Sequence, residues 1–148
     1  MPRFLGIDFG ERRIGLAISD PSATIAQPLP TLERRRGKRP PAAAVLKLAE
    51  EYGAAGFVLG LPLTPQGEES EWTQEIRAFG DRLAERAGIP VHYVDERFTS
   101  VSAERAVRSL GLPRRERERK DRVDAAAAVL ILQSFLDRRR REVPPDDG

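Results

Sequence analysis

The chain has 148 residues, 40% apolar and 32% charged, with a formal net charge of +2. That length suits one domain with a sizeable core, and no apolar run marks a transmembrane helix or a signal peptide, so the cytoplasm is the expected compartment and no membrane partner is expected. Without cysteine, and with one histidine, disulfides, thiol nucleophiles and thiolate metal sites are excluded and zinc has few ligands; a metal here would be magnesium or manganese held by carboxylates.

Residues 3–10, Arg-Phe-Leu-Gly-Ile-Asp-Phe-Gly, read as a buried first strand that ends in a turn. By the period of two, Leu5, Ile7 and Phe9 share one face, and Phe4, Gly6 and Asp8 the other. An ionised carboxylate in such a strand is costly to bury unless it is paired or bound to a cation. Asp8 therefore has two readings: a cap of the following turn, or a metal-binding or phosphate-facing group. Gly10-Glu11-Arg12 closes a hairpin onto a second strand, 13–19. Arg12 and Arg13 then stand next to the Asp8 turn as candidate phosphate contacts. Asp20-Pro21-Ser22 is a turn signal. A third strand over 24–32 contains Pro28 and Pro30, which confine it to a sheet edge. A loop with the first basic block follows: Arg34, Arg35, Arg36, Lys38 and Arg39.

The first helix is predicted from Pro40 or Pro41, with Val45, Leu48, Ala49 and Tyr52 as its apolar stripe and Gly53 as its C′ cap. The continuous apolar run 56–61 fits a central strand covered on both faces. After a loop to Ser70, a second helix reaches about Ala87, with Trp72, Ile76, Phe79 and Leu83 on one side and Trp72 read as packing. Residues 90–96 form the next strand. Its parity separates His92, Val94 and Glu96 from Val91, Tyr93 and Asp95, and His92 reads as structural. Thr99 or Ser100 caps a third helix; both hydroxyls also have a substrate-facing reading. Gly111-Leu112-Pro113 stops that helix. The second basic block follows, with Arg114, Arg115, Arg117, Arg119, Lys120 and Arg122 diluted by Glu116, Glu118 and Asp121.

A last helix over about 122–140 buries Val123, Ala127, Leu130, Ile131 and Phe135, and alanines 125–128 permit close packing on a sheet. A third basic block spans 138–141, and residues 142–148 read as a disordered tail. The expected organisation is one domain over 1–141, an α/β fold whose mixed sheet is flanked by helices. The basic blocks suit a phosphate backbone or a solvated surface.

Three carboxylates form the candidate site. Asp8 and Glu96 lie at strand ends, where ligands gather in open α/β sheets. Asp124, in the first turn of the last helix, shares a face with Ala127, Ala128 and Ile131, the face expected to meet the sheet. Three converging carboxylates repel unless divalent cations join them, and two such cations activate water and steady a leaving oxygen in phosphodiester cleavage. Blander roles stay open. Asp124 favours the helix dipole with Asp121 as N-cap, and Glu96 pairs with Arg97. Asp95 and Asp121 compete as ligands; parity turns Asp95 away, and Asp121 is a candidate auxiliary ligand. Arg97 and Lys120 are further candidate phosphate contacts.

Four segments carry a resemblance: Gly6-Ile7-Asp8-Phe9-Gly10 with Arg13-Ile14-Gly15 and Ala17-Ile18-Ser19-Asp20; Gly60-Leu61-Pro62-Leu63 with Gly67; Asp95-Glu96-Arg97-Phe98-Thr99-Ser100 with Ala103; and Lys120, Val123-Asp124, Ala126-Ala127 and Ile131-Leu132-Gln133. In this order the chain, from Arg3 to about Asp137, resembles the pre-16S rRNA nuclease family, also described as Holliday-junction-resolvase-like, of the ribonuclease H-like superfamily. The resemblance implies a five-stranded mixed sheet and an acidic triad of Asp8, Glu96 and Asp124 that holds magnesium or manganese, with Asp121 as candidate fourth ligand. It also implies 5′-end processing of precursor 16S rRNA in the bacterial cytoplasm. Thr64 and Pro65 depart from the Asn and larger apolar residue common at that loop in the family.

The expected partners are structured nucleic acid, precursor rRNA ahead of a DNA junction, and ribosomal particles. The expected contacts are Arg12, Arg13, Arg97, Thr99, Ser100, Arg114, Arg115 and Lys120. Two other functions stay open: cleavage of four-way DNA junctions, which a symmetric homodimer would favour over a monomer, and a non-catalytic nucleic-acid-binding role in ribosome assembly.

Overall fold

The computed structural model describes residues 2–35, 37–99 and 120–142, with backbone alone at 120–124. The helix expected after Ser100, Arg114 and Arg115 with most of the second basic block, and the tail from 143 onward lie outside those residues.

Strand β1 (Arg3–Phe9) pairs antiparallel with β2 (Arg13–Ser19), and β2 with β3 (Ala26–Glu33). Helix α1 (Ala42–Tyr52) leads to β4 (Ala54–Leu61), and α2 (Glu71–Ala87) leads to β5 (Val91–Asp95). Both β4 and β5 join in parallel, giving the five-stranded order β3-β2-β1-β4-β5. A 3-10 turn (Glu96–Phe98) follows β5, and helix α3 (Lys120–Glu142) closes the fold. The expected mixed sheet is present, and the proline-bearing strand β3 lies on its edge as expected.

Two element boundaries move for local reasons. The Asp20 carboxylate accepts the amides of Thr24 at 2.7 Å and Ile25 at 2.9 Å. Those donors are withheld from the ladder, so β3 starts at Ala26 rather than at Thr24. At the other edge β5 ends at Asp95, and Glu96 belongs to the turn rather than to the strand. The Asp95 carboxylate accepts the Arg97 amide at 3.0 Å and bends the chain out of the sheet.

Each face of the sheet has its own core. Leu5, Ile7, Phe9, Phe57, Leu59 and Leu61 pack with Val45, Ala49, Ile76, Phe79 and Leu83 from α1 and α2. On the opposite face Phe4, Ala17, Val58 and Val94 meet Ala127, Ala128, Ile131, Leu132 and Leu136 of α3. Full burial of a leucine or isoleucine is worth roughly 1.5–3 kcal/mol, so Ile131, Leu132 and Leu136, each fully buried, are ample to seat α3. Its lateral position is fixed by Gln133, whose amide donates to the Thr24 carbonyl at 2.8 Å and accepts from the Ala26 amide at 2.9 Å. Its far end is held by Phe135, which packs edge-on against Phe4 at 5.0 Å and lies 4.8 Å from His92. His92 is therefore the structural residue expected, and burial lowers its pKa.

Candidate active site

Strand alternation turns Phe4, Gly6 and Asp8 toward α3. The helix lies almost against Gly6: a Cβ there would stand 2.7 Å from the Leu132 Cβ and 3.1 Å from the Ala128 carbonyl oxygen. This is the close approach expected of the small residues at 125–128. Two residues on, Asp8 is buried at 3% exposure and faces Gly15 across the β1–β2 ladder. On its other side β1 runs parallel with β4, with Ile7 opposite Leu59. The next step of that register sets Asp8 beside Gly60.

Gly60 is where the second carboxylate arrives. Glu96 is 2% exposed. A Cβ on Gly60 would lie 2.8 Å from Glu96 Oε2 and 2.6 Å from Ile131 Cδ1. The missing side chain is thus the space through which Glu96 reaches across β4 toward β1. Asp8 and Glu96 occupy one face of the sheet at the C-terminal ends of its parallel strands, where neighbouring strands stand about 4.8 Å apart. The parity expected of Glu96 holds even though the residue has left the strand.

The third expected carboxylate enters through α3, which runs antiparallel to β1. Phe135 meets Phe4, and Leu132 and Ala128 meet Gly6. Asp124 follows one further turn toward the start of α3, four residues before Ala128, with Asp121 nearly one turn beyond it. The side chains of Lys120, Asp121 and Asp124 lie outside the described residues. Among the described residues no three histidine, cysteine, aspartate or glutamate side chains gather as a metal site.

The turn that carries Glu96 is braced on both sides. Arg97 donates to both Asp95 carboxylate oxygens, at 2.7 Å in its closest contact, and to the Pro65 carbonyl at 3.2 Å. The Arg97 hydrogen bonds hold Asp95 below the usual carboxylate range. Asp95 is thereby committed to Arg97. Thr99 donates its amide at 3.1 Å and its hydroxyl at 3.0 Å to the Glu96 carbonyl, closing the turn. The guanidinium of Arg97 also lies against Gly67, tying the loop after β4 to the same turn.

Arg12 is exposed in the hairpin turn, and Arg13 is half-buried opposite Glu33. Two features escaped the sequence reading. Phe98, 70% exposed, sits two residues after Glu96 with Arg97 over its ring. Arg34, taken there only as one member of a basic run, stacks on Phe9 at 4.9 Å and donates to the Gly10 carbonyl at 2.8 Å. The only advance signal for the second was a large aromatic residue ending β1 beside an arginine-rich loop.

A five-stranded mixed sheet with acidic residues on one face, under a closing helix, defines the class: a ribonuclease H-like nuclease. The chain belongs to the RuvX family, described as Holliday junction resolvase, whose profile matches residues 2–138. Relatives named "Putative pre-16S rRNA nuclease" include one from Chloroflexus aurantiacus, 43% identical over 92% of this chain and 87% of its own. Another, from Lactobacillus delbrueckii subsp. bulgaricus, is 44% identical over 95% of this chain and 99% of its own. Among solved structures, Thermus thermophilus RuvC in complex with a Holliday junction substrate superimposes with a TM-score of 0.56 at 18% identity, covering 95% of this chain and 96% of RuvC. Fowlpox virus resolvase with Holliday junction DNA gives 0.56 at 13% identity, covering 92% and 97%. These two likenesses concern the fold. No described helix is long and apolar enough to cross a membrane.

Proposed function

We propose that the chain is a divalent-metal-dependent endonuclease that processes the 5′ end of precursor 16S rRNA in the cytoplasm, on ribosomal particles or their RNA. The observation that carries this reading is a pair of buried carboxylates on one face of the sheet: Asp8 late in β1, and Glu96, whose Oε2 lies over Gly60 of the neighbouring strand. An all-oxygen donor set suits magnesium or manganese, and a hard cation relieves the repulsion of paired carboxylates. Asp8, Glu96 and Asp124 would hold it, with Asp121 as the fourth candidate. When bound, the metal polarises the phosphoryl oxygen and lowers the pKa of a water.

The protein's own contribution is placement. Gly60 leaves room for the Glu96 carboxylate, the Arg97–Asp95 pair and Thr99 fix the turn that presents it, and α3 shields the pair from bulk water. Arg12 and Arg13, in and just after the turn that follows β1, are the candidate contacts for phosphates neighbouring the scissile bond. The substrate assignment rests on the names of relatives that match nearly the whole chain.

The test compares wild type with Asp8→Asn, Glu96→Gln and Asp124→Asn. The substrates are a precursor 16S rRNA fragment and a four-way DNA junction at matched salt, each with magnesium, manganese or chelator. All three variants should keep their circular dichroism and thermal transition and lose metal-dependent RNA cleavage. Full cleavage by any of them would remove that residue from the site. Junction resolution is the second reading, favoured by the family description; preferential cutting of the junction by a dimer would establish it in place of RNA processing. Tight binding in chelator with no cleavage of either substrate would make the protein an assembly factor.

A further inference from the structure

The end of the sheet that carries Asp8 also carries a basic cleft of about 710 Å³ that the carboxylate site does not use. Its walls come from two separate parts of the chain: Arg12 and Arg13 from the β1–β2 turn, and Arg35 and Lys38 from the loop after β3, with Glu11 and Glu33 also lining it. Arg34 fixes these parts to each other. Its guanidinium stacks on the Phe9 ring and donates to the Gly10 carbonyl, while its backbone amide donates to the Arg12 carbonyl at 2.8 Å. The Gly10 amide returns to the Arg13 carbonyl at 3.0 Å. Arg34 thereby anchors the start of the loop to the β1–β2 turn, and Arg12, Arg35 and Lys38 are exposed around the cleft.

We infer that this cleft is a tracking site for the phosphate backbone of the nucleic-acid strand as it leaves the carboxylate site. The inference rests on the nuclease reading for the identity of the strand. The reach fits: Asp8 and Arg12 are four residues apart, at most about 14 Å of extended chain, or roughly four nucleotides at a rise of 3.4 Å. Four cationic side chains besides Arg34, against two carboxylates, favour a polyanion, and arginine pairs with phosphate through two parallel donors. Contact with phosphates alone makes the site indifferent to base sequence. Arg34 acts as a positioning residue because its charge is turned inward onto Phe9.

The experiment is fluorescence anisotropy of a labelled precursor rRNA fragment in chelator over a range of potassium chloride. It compares wild type, Arg12→Gln/Arg35→Gln/Lys38→Gln, and the matched triple Arg86→Gln/Arg140→Gln/Arg141→Gln, three exposed arginines in the last turns of α2 and α3, away from the cleft. Each lost phosphate contact lowers the slope of log affinity against log salt by about 0.7–0.9. The cleft triple should therefore lose roughly two to three from the slope, the distant triple should match wild type, and Arg12→Lys/Arg35→Lys should restore the slope. Equal losses in both triples would reduce the cleft to general surface charge and overturn the inference, as would an unchanged slope in the cleft triple. Because no cleavage is measured, a failure of the metal site leaves this result standing, and a failed cleft leaves the metal site untouched.

Discussion

Gly60→Ala tests the geometry at its tightest point. The new Cβ would stand 2.6 and 3.0 Å from two Ile131 carbons and 2.8 Å from Glu96 Oε2, whereas carbon contacts are most favourable at about 3.5–4.0 Å. Either α3 or the Glu96 carboxylate must shift by roughly an ångström. Overpacking of this kind costs about 1–3 kcal/mol. At about 2–4 °C per kcal/mol for a chain of this size, the Tm should fall by roughly 2–12 °C. Misplacing a catalytic group by about 1 Å costs on the order of a hundredfold in rate. Gly6→Ala is the matched control: its Cβ collides with Leu132 and the Ala128 carbonyl, so it unseats the same helix without touching Glu96. Scanning calorimetry and single-turnover cleavage, both run below the two transitions, separate the effects. Both variants should lose stability, and Gly60→Ala should lose far more activity. The reasoning fails if Gly60→Ala cleaves at the wild-type rate, or if Gly6→Ala loses as much activity for the same fall in Tm.

Other outcomes follow from local structure. Ser70 caps α2 by accepting the Thr73 amide, while Thr73 accepts the Ser70 amide in return; Ser70→Ala should cost about 1 kcal/mol, read as a lower urea midpoint, with cleavage unchanged. The Asp20 carboxylate is pulled down to about 2, first by the Ile25 amide, then by Ser22 and the Thr24 amide. Because the folded value lies below the unfolded one, its stabilising contribution is complete above about pH 4 and is lost as pH falls through about 2. Urea midpoints measured from neutral pH down to about pH 2 should decline less steeply for Asp20→Asn than for wild type, and parallel acid limbs would contradict this.

The sequence by itself determined the alternation of strands and helices, the edge position of β3 and the side of the sheet on which Asp8 stands. These depend on neighbouring residues: side-chain period, proline's missing donor and the αL cap at Gly53 are written within a few positions of one another. The Asp8 and Glu96 positions were legible for the same reason, since parity survives a short turn. What only the tertiary structure decided depends on distance between segments. The docking of α3 on Gly6 and Gly60 is such a case, because a glycine in an apolar strand does not say what will fill its missing Cβ. The pairing of Arg97 with Asp95 rather than Glu96 was settled by the turn the Asp95 carboxylate itself creates. The conversion of Arg34 from a surface charge into the clamp between Phe9 and Gly10 required β3 to fold back along β2. The same fold-back brings the first basic block, a stretch of ordinary charge in the sequence, beside Arg12 at the end of the sheet that holds the carboxylates.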